Sequence, residues 1–404
     1  MGVYAKSLTA PTLAGDQAYS GFGFQPKFVM LTCTYETTAN NDETPSHFCQ
    51  SFIISGTQVC LSQSSEHGLS SNQNIKGVYK NTALYLVNYN GTILMEASLV
   101  SLDSDGITLN FSTTSANIQI GCFALGGSDI TNLAIKNIAP LGSASSQAYT
   151  GVGFQGDWAL CMGTGSTAAS GTTDTKSYMS LGFCDSSLNQ NVSCGYSNSG
   201  SVSNSGVWFN DAFYGVSEGA ATQQKAALTA FGADGFTLNW TTSSSSNGNI
   251  WVVVGQGGDC QVGTIVDRTS AGTTSDATFS FEPNGLLFAQ NLGLGAGSHQ
   301  TGNQPMVGMV GETLADQCVY TCKQWGLKSS VATRGFNDAK CIRDGVVGTL
   351  TAEASVSSFN SDGFTLNYST APASAKTHQY MGFYVAGSSP PEVTRTRCLL
   401  GVGV

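Results

Sequence analysis

The stretch "DGFTLNY" at 362–368 has two near-copies in the same chain, "DGFTLNW" at 234–240 and "DGITLNF" at 105–111. The leading Asp residues are 129 positions apart (234 − 105) and then 128 (362 − 234). Asp-Gly suits a tight turn, because glycine accepts φ > 0 without a Cβ clash. After the turn, large apolar side chains alternate with polar ones. Successive strand side chains face opposite ways. Phe364, Leu366 and Tyr368 therefore share one face, as do Phe236, Leu238 and Trp240, and Ile107, Leu109 and Phe111. An apolar face backed by a polar one marks an antiparallel strand buried on one side.

Two more motifs keep the same rhythm. "GFGFQP" (21–26), "GVGFQG" (151–156) and "FSFEPN" (279–284) each lead into an apolar run, "FVMLTC", "WALCMG" or "LLFAQ". "IGCFALGG" (120–127), "WVVVGQGG" (251–258) and "MGFYVAGS" (381–388) close each copy. A solenoid repeats every 20–50 residues or so; this period is that of a whole domain. "AALTAF" (226–231) and "TAEASVSSF" (351–359) have helix-compatible composition. They stand where the first copy has the strand-like "TILMEASLVSL" (92–102), so all three are read as strands hairpinned to the Asp-Gly strand. Many short strands with polar turns predict sandwiches. The expected fold is all-β: three tandem antiparallel β-sandwich domains, jelly-roll-like or Ig-like, at 1–132, 133–262 and 263–391. A short extended C-terminal arm comes last, at 392–404. Short connectors predict domains that abut rather than swing.

Of the 404 residues only 10% are charged, against about 25% in an average soluble protein. With 41% hydrophobic residues and 49 Gly, there is core material and a largely neutral polar surface. The net charge of -10 argues against a nucleic-acid partner, which needs clustered Lys and Arg to displace counterions. The absence of a long basic run argues against an anionic membrane surface. No apolar stretch is long enough for a spanning helix. The start "MGVYAKSLTAPTLAGD" has no apolar signal core, and Lys6 breaks a myristoylation pattern. The expectation is a mature chain beginning near Met1 and made in the cytosol.

Candidate chemistry is thin. Gly215-Val216-Ser217-Glu218-Gly219 matches Gly-x-Ser-x-Gly, but that motif works on a strand-to-helix elbow. His47, His67, His299 and His378 occupy unrelated positions of copies one and three. Asp103 and Asp105 are possible oxygen ligands for Ca²⁺, yet the other copies have Gly232 and Asn360 in place of Asp103. Cys318 and Cys322 form C-x₃-C with Cys341 beyond, looser than zinc patterns. No catalytic, metal or cofactor site is assigned.

The 12 Cys residues do not follow the repeat. A disulfide that the fold itself needs would recur in every copy. The expected disulfide or cross-linking residues are Cys398, Cys318, Cys322, Cys341, Cys49, Cys60, Cys184, Cys194 and Cys260. Cys398 sits beside Leu399 and Leu400, with Arg395 and Arg397 upstream. It is expected to bond a neighbouring chain.

Together, "GFGFQPKFVML", "DGFTLNW" and "FALGG" resemble a domain found in structural proteins of tailed bacteriophages. The resemblance covers nearly the whole chain in three copies. The second and third copies depart from it at their ends, "VVVGQGG" and "YVAGSS". It implies a virion protein and carries over no catalytic residues. The expectation is a non-enzymatic structural protein on the virion exterior, synthesised in the host cytoplasm. It would be a capsid decoration, a minor capsid protein, or part of the neck, collar or tail. Its partners would be other virion proteins and copies of itself in a symmetric homo- or hetero-oligomeric assembly, with contacts reinforced by disulfides. Two other classes compete. A receptor- or glycan-binding tail fibre or spike would use exposed Trp faces among Trp158, Trp208, Trp240, Trp251 and Trp325. A surface polysaccharide hydrolase would need paired carboxylates.

Overall fold

The computed structural model describes residues 2–38, 41–68, 75–164, 169–198, 204–218, 221–243, 248–291, 298–301, 304–314, 317–325, 331–346 and 349–386. The C-terminal arm expected at 392–404 lies outside the described residues. Within them the regular structure is all strand, in six antiparallel sheets that pair into three sandwich-like units. In the first unit the larger sheet runs in the order Val3–Thr9, Gln119–Gly126, Pro26–Cys33, Ser46–Ile54, Thr57–Ser65, Ile75–Lys80. The smaller sheet runs Gly15–Ser20, Gly106–Thr113, Ile93–Asp103, Leu84–Val87. The second unit, opening with Asn132–Ile138, and the third, opening with Asp259–Val266, repeat this order strand for strand.

The Asp-Gly strands Gly106–Thr113, Gly235–Ser243 and Gly363–Thr370 lie in the smaller sheets. Their alternation holds: Phe364, Leu366 and Tyr368 are buried and Asn367 is exposed. The ambiguous segments are strands as expected, Ala221–Gly232 and Thr349–Asn360, each antiparallel to its Asp-Gly strand.

The larger sheets behave differently, because both of their faces are covered. In Pro26–Cys33, Val29, Leu31 and Cys33 face the unit's own small sheet, while Phe28 and Met30 face away from it. Trp158, Leu160 and Met162 face away in the second unit, as do Leu287 and Ala289 in the third. These outward faces meet one another in a single core shared by all three units. The Trp158 ring lies 6.4 Å from Phe28 and 5.6 Å from Phe383, and Phe383 lies 5.7 Å from Phe123. Four rings from three units thus touch in sequence. This is why the runs "FVMLTC", "WALCMG" and "LLFAQ" do not alternate: neither side of the strand is wet.

The units also exchange edge strands, so they interlock as well as abut. Asn41–Glu43 of the first unit pairs with Val331–Asn337 of the third. Ser298–Thr301 of the third pairs with Asn204–Phe209 of the second. The second unit completes the cycle: the Gly77 amide donates to the Asp174 carbonyl at 3.1 Å, and the Asp174 amide returns a bond to Gly77 at 2.8 Å. Each donor segment comes after the apolar strand opened by the second repeated motif.

Replacing Trp158 by Ala is expected to cost about 3–5 kcal/mol, the range for a buried aromatic truncated to Ala. Because its ring contacts two other units, the loss should lower one cooperative unfolding transition of the whole chain. Denaturant melts followed by fluorescence and circular dichroism check this. A separate early transition of the middle unit alone would contradict the shared core.

Candidate functional site

The repeated motifs hold one another. The Asp105 carboxylate accepts the Gly21 amide at 3.1 Å and the Gly23 amide at 2.6 Å. The Asp234 carboxylate accepts Gly151 and Gly153 at 3.0 and 2.6 Å. The Asp carbonyl adds a main-chain bond from Phe22 at 3.3 Å and from Val152 at 3.2 Å. In the third unit Thr278 and Ser280 replace the two glycines. There the Phe279 amide still donates to the Asp362 carbonyl at 3.0 Å, while the Thr278 amide turns to Asp276 at 3.0 Å. The glycine after each Asp has φ +154. A Cβ there would collide with the carbonyl oxygen of Tyr19, Tyr149 or Asp276 on the next strand. The Asp-Gly pair is therefore a clamp between motifs, required by geometry.

The closing motifs gather at one pole of the molecule. A Cβ on Gly127 (φ +91) would sit 2.7 Å from the Ala386 carbonyl, and Gly257 (φ +84) approaches the Asp129 carbonyl. The Ala386 amide donates to Asp129 at 2.8 Å, and the Gly126 amide to the Gly2 carbonyl at 2.9 Å. The ends of all three units thus meet, and glycine permits their close passage.

The seam between the first and third units carries a buried cation. Arg334, 5% exposed, bonds Glu36 at 3.0 Å and Glu43 at 2.5 Å. It also donates to the Pro45 carbonyl at 2.6 Å, and its guanidinium lies 5.6 Å from the centre of the Tyr35 ring. All four partners flank or form the donated segment of the first unit. Burial, with Arg334 nearby, drives His47 down to about 3, so it is neutral near pH 7. Neutral pairs also cross the seams: Ser177 donates to Gln63 at 2.7 Å, Asn191 to the Gly263 carbonyl at 2.9 Å, and Asn291 to the Cys194 carbonyl at 3.0 Å.

Among the described residues, the catalytic and ligand candidates named from the sequence are built into separate parts of the fold. Ser217 is buried in the strand Tyr214–Glu218, with no helix beside it among the described residues, and Gly219 lies outside them. His378 is bonded to Asp267 at 2.7 Å in the core of the third unit, where Tyr368 also donates to Asp267 at 2.7 Å. Burial pushes the Asp267 carboxyl up, but His378 and Tyr368 hold it below its ordinary value. His67 meets the main chain of Ala332, and the His299 side chain lies outside the described residues. Asp103 accepts Ser101 at 2.5 Å and Thr108 at 2.7 Å, a cross-strand tie that Asn360 copies through Ser358 and Thr365, each at 3.0 Å. A cleft of about 520 Å³ contains Asp129, Asp157, Asp185 and Asp259. Of these, Asp129, Asp157 and Asp185 accept the amides of Ala386, Gly257 and Val262 across loops and seams. Among the described residues, no three His, Cys, Asp or Glu groups are placed to hold a metal.

Of the expected cross-linking residues, Cys49, Cys60, Cys184, Cys194, Cys318 and Cys341 are buried thiols outside any disulfide, and Cys260 is a half-buried one. Cys318 faces the shared core and Cys341 the third unit's own core, so they do not converge. The Cys322 side chain and all of Cys398 lie outside the described residues. Trp158, Trp208, Trp240 and Trp251 are buried, and the Trp325 side chain lies outside the described residues. The seam residues Arg334, Glu36 and Glu43 were missed by sequence reasoning. Their only local signal was a scarcity of charge, which makes each charged residue worth asking about. Comparison with family models, curated proteins and solved structures returned no match to this chain.

The Asp234 clamp has a pH signature. The Gly153 amide, then the Gly151 amide, hold its carboxyl below the ordinary value, with Lys136 adding to the effect. A depressed folded value means the clamp stabilises above the unfolded pKa of about 3.9 and loses that contribution as pH falls through the lower folded value. Asp234→Asn should therefore melt below the parent at pH 7, and the gap should close as pH falls towards about 2. Thermal melts across that range test it. A gap that stays constant with pH would show that charge has no part in the clamp.

Proposed function

We propose that this chain is a non-enzymatic structural component of a tailed-bacteriophage particle, placed on its exterior. It is a capsid decoration or minor capsid protein, or part of the neck, collar or tail. One observation carries this reading. The three units form a closed, interlocked block through a shared core and exchanged edge strands. A block of three like units presents three like outer faces, which suits seating on a symmetric assembly of other virion proteins or further copies of itself. The repeated motifs serve cohesion: the Asp-Gly turn locks the second motif, and the closing motif lets three chain ends meet. Support also comes from the resemblance of those motifs to phage virion domains. The burial of Trp158, Trp208, Trp240 and Trp251 removes them as glycan-stacking faces. With few charges, adhesion would rest on complementary neutral surfaces. Synthesis in the host cytoplasm with later assembly is the matching localisation.

Electron cryomicroscopy of particles made with and without this chain tests the proposal. The expected outcome is an external density of three sandwich units, lost on deletion, with particles less resistant to heat or dilution. Its absence from purified particles, or a place inside the capsid, would reject it. Strong binding of the purified chain to host glycans would favour the adhesin reading instead.

A further inference from the structure

We infer that Cys33 and Cys49 are a latent intrachain disulfide that pins the base of the first unit's donated arm. Cys33 ends the strand Pro26–Cys33, and Cys49 lies directly opposite it in Ser46–Ile54. Cα atoms of directly opposed antiparallel residues are about 4.5–5.5 Å apart, inside the window of about 4.4–6.8 Å that a disulfide requires. Their sulfurs are 3.1 Å apart, so bonding needs an approach of about 1 Å. Both face the first unit's private core, with Cys60 on the same face.

The chemistry favours Cys49 as the attacking sulfur. Burial opposes ionisation of all three thiols, but hydrogen bonding from the Cys33 and Cys60 sulfurs favours a thiolate at Cys49 and disfavours one at either neighbour, so Cys49 is the easiest of the three to ionise. A small neutral oxidant suits a dry core, and hydrogen peroxide is such an oxidant. The Cys49 thiolate attacks one peroxide oxygen, the O–O bond breaks, and Cys49 becomes a sulfenic acid with loss of hydroxide. The Cys33 sulfur then attacks the Cys49 sulfur, forming S–S and breaking S–O. The Cys33 proton leaves with the departing hydroxide as water. In total, two thiols and one peroxide give one disulfide and two waters. Cys60 remains a thiol.

The bond would close a loop with structural consequence. Between Cys33 and Cys49 lie Tyr35, Glu36, Glu43 and Pro45, which hold Arg334, and the strand Asn41–Glu43, which joins the third unit's sheet. The loop's two base strands would then be tied covalently at the point where it leaves the sandwich. The pair is specific to this unit: in the second, Gly163 faces Ser180 at the matching register.

The test uses the full reduced chain. It is treated with hydrogen peroxide, quenched by alkylation in denaturant and peptide-mapped by mass spectrometry. The expected result is a Cys33–Cys49 linked peptide lighter by two hydrogens, two fewer alkylated thiols, and slower proteolysis within 34–48. Cys60→Ser should retain the link and Cys33→Ser should abolish it. If Cys33→Ser misfolds, the map of the parent chain decides alone. A Cys49–Cys60 link, or both thiols still fully alkylatable after prolonged peroxide treatment, would overturn the inference.

Discussion

The larger sheets are apolar on both faces, and the rest of the architecture depends on how the second face is covered. A sandwich normally hides one face of each sheet and leaves the other to water. Here Phe28 and Met30, Trp158 and Leu160, and Leu287 turn away from their own units. No single unit can cover them. Each unit leaves apolar side chains worth about 1.5–3 kcal/mol apiece in burial, which stabilise only when three such faces close on one another. The contact of Trp158 with Phe28 and Phe383 is where that closure is most concentrated.

The exchanged edges solve a second constraint that closure creates. The outermost strand of each larger sheet has unpaired amides and carbonyls, and such an edge invites association with other chains. Every unit covers a neighbour's edge with a short segment of its own. The cost is a desolvated cation, Arg334, which the carboxylates of Glu36 and Glu43 and the Pro45 carbonyl satisfy. A buried ion pair of this kind adds little net stability over apolar packing, yet removing one partner is expensive. Its contribution is to fix which segment sits on which edge.

A molecule organised this way places its polar groups for cohesion. The carboxylates of Asp105, Asp234, Asp129 and Asp185 are taken up by backbone amides. His378 and Asp267 are enclosed. Nine of the described cysteines are buried, and of the described ones only Cys33 and Cys49 stand opposed across two strands with their sulfurs in contact.

Much of this was present in the chain as letters. Period-2 alternation after each Asp-Gly named the half-buried strands, because a side chain's face is set by its neighbours two positions away. The spacing of about 129 residues named the three units. The non-alternating runs "FVMLTC" and "WALCMG" even recorded that a second face was apolar. What they did not record was its cover, since periodicity states how a strand divides its faces and says nothing of the surface that meets them. Arg334 lies 291 positions from Glu43, and the donated segments are short and polar, with no pattern of their own. Which unit covers which, which edges are exchanged, and which two of 12 thiols stand opposed were decided only when three sheets closed around one core. Those contacts depend on where remote segments arrive in space.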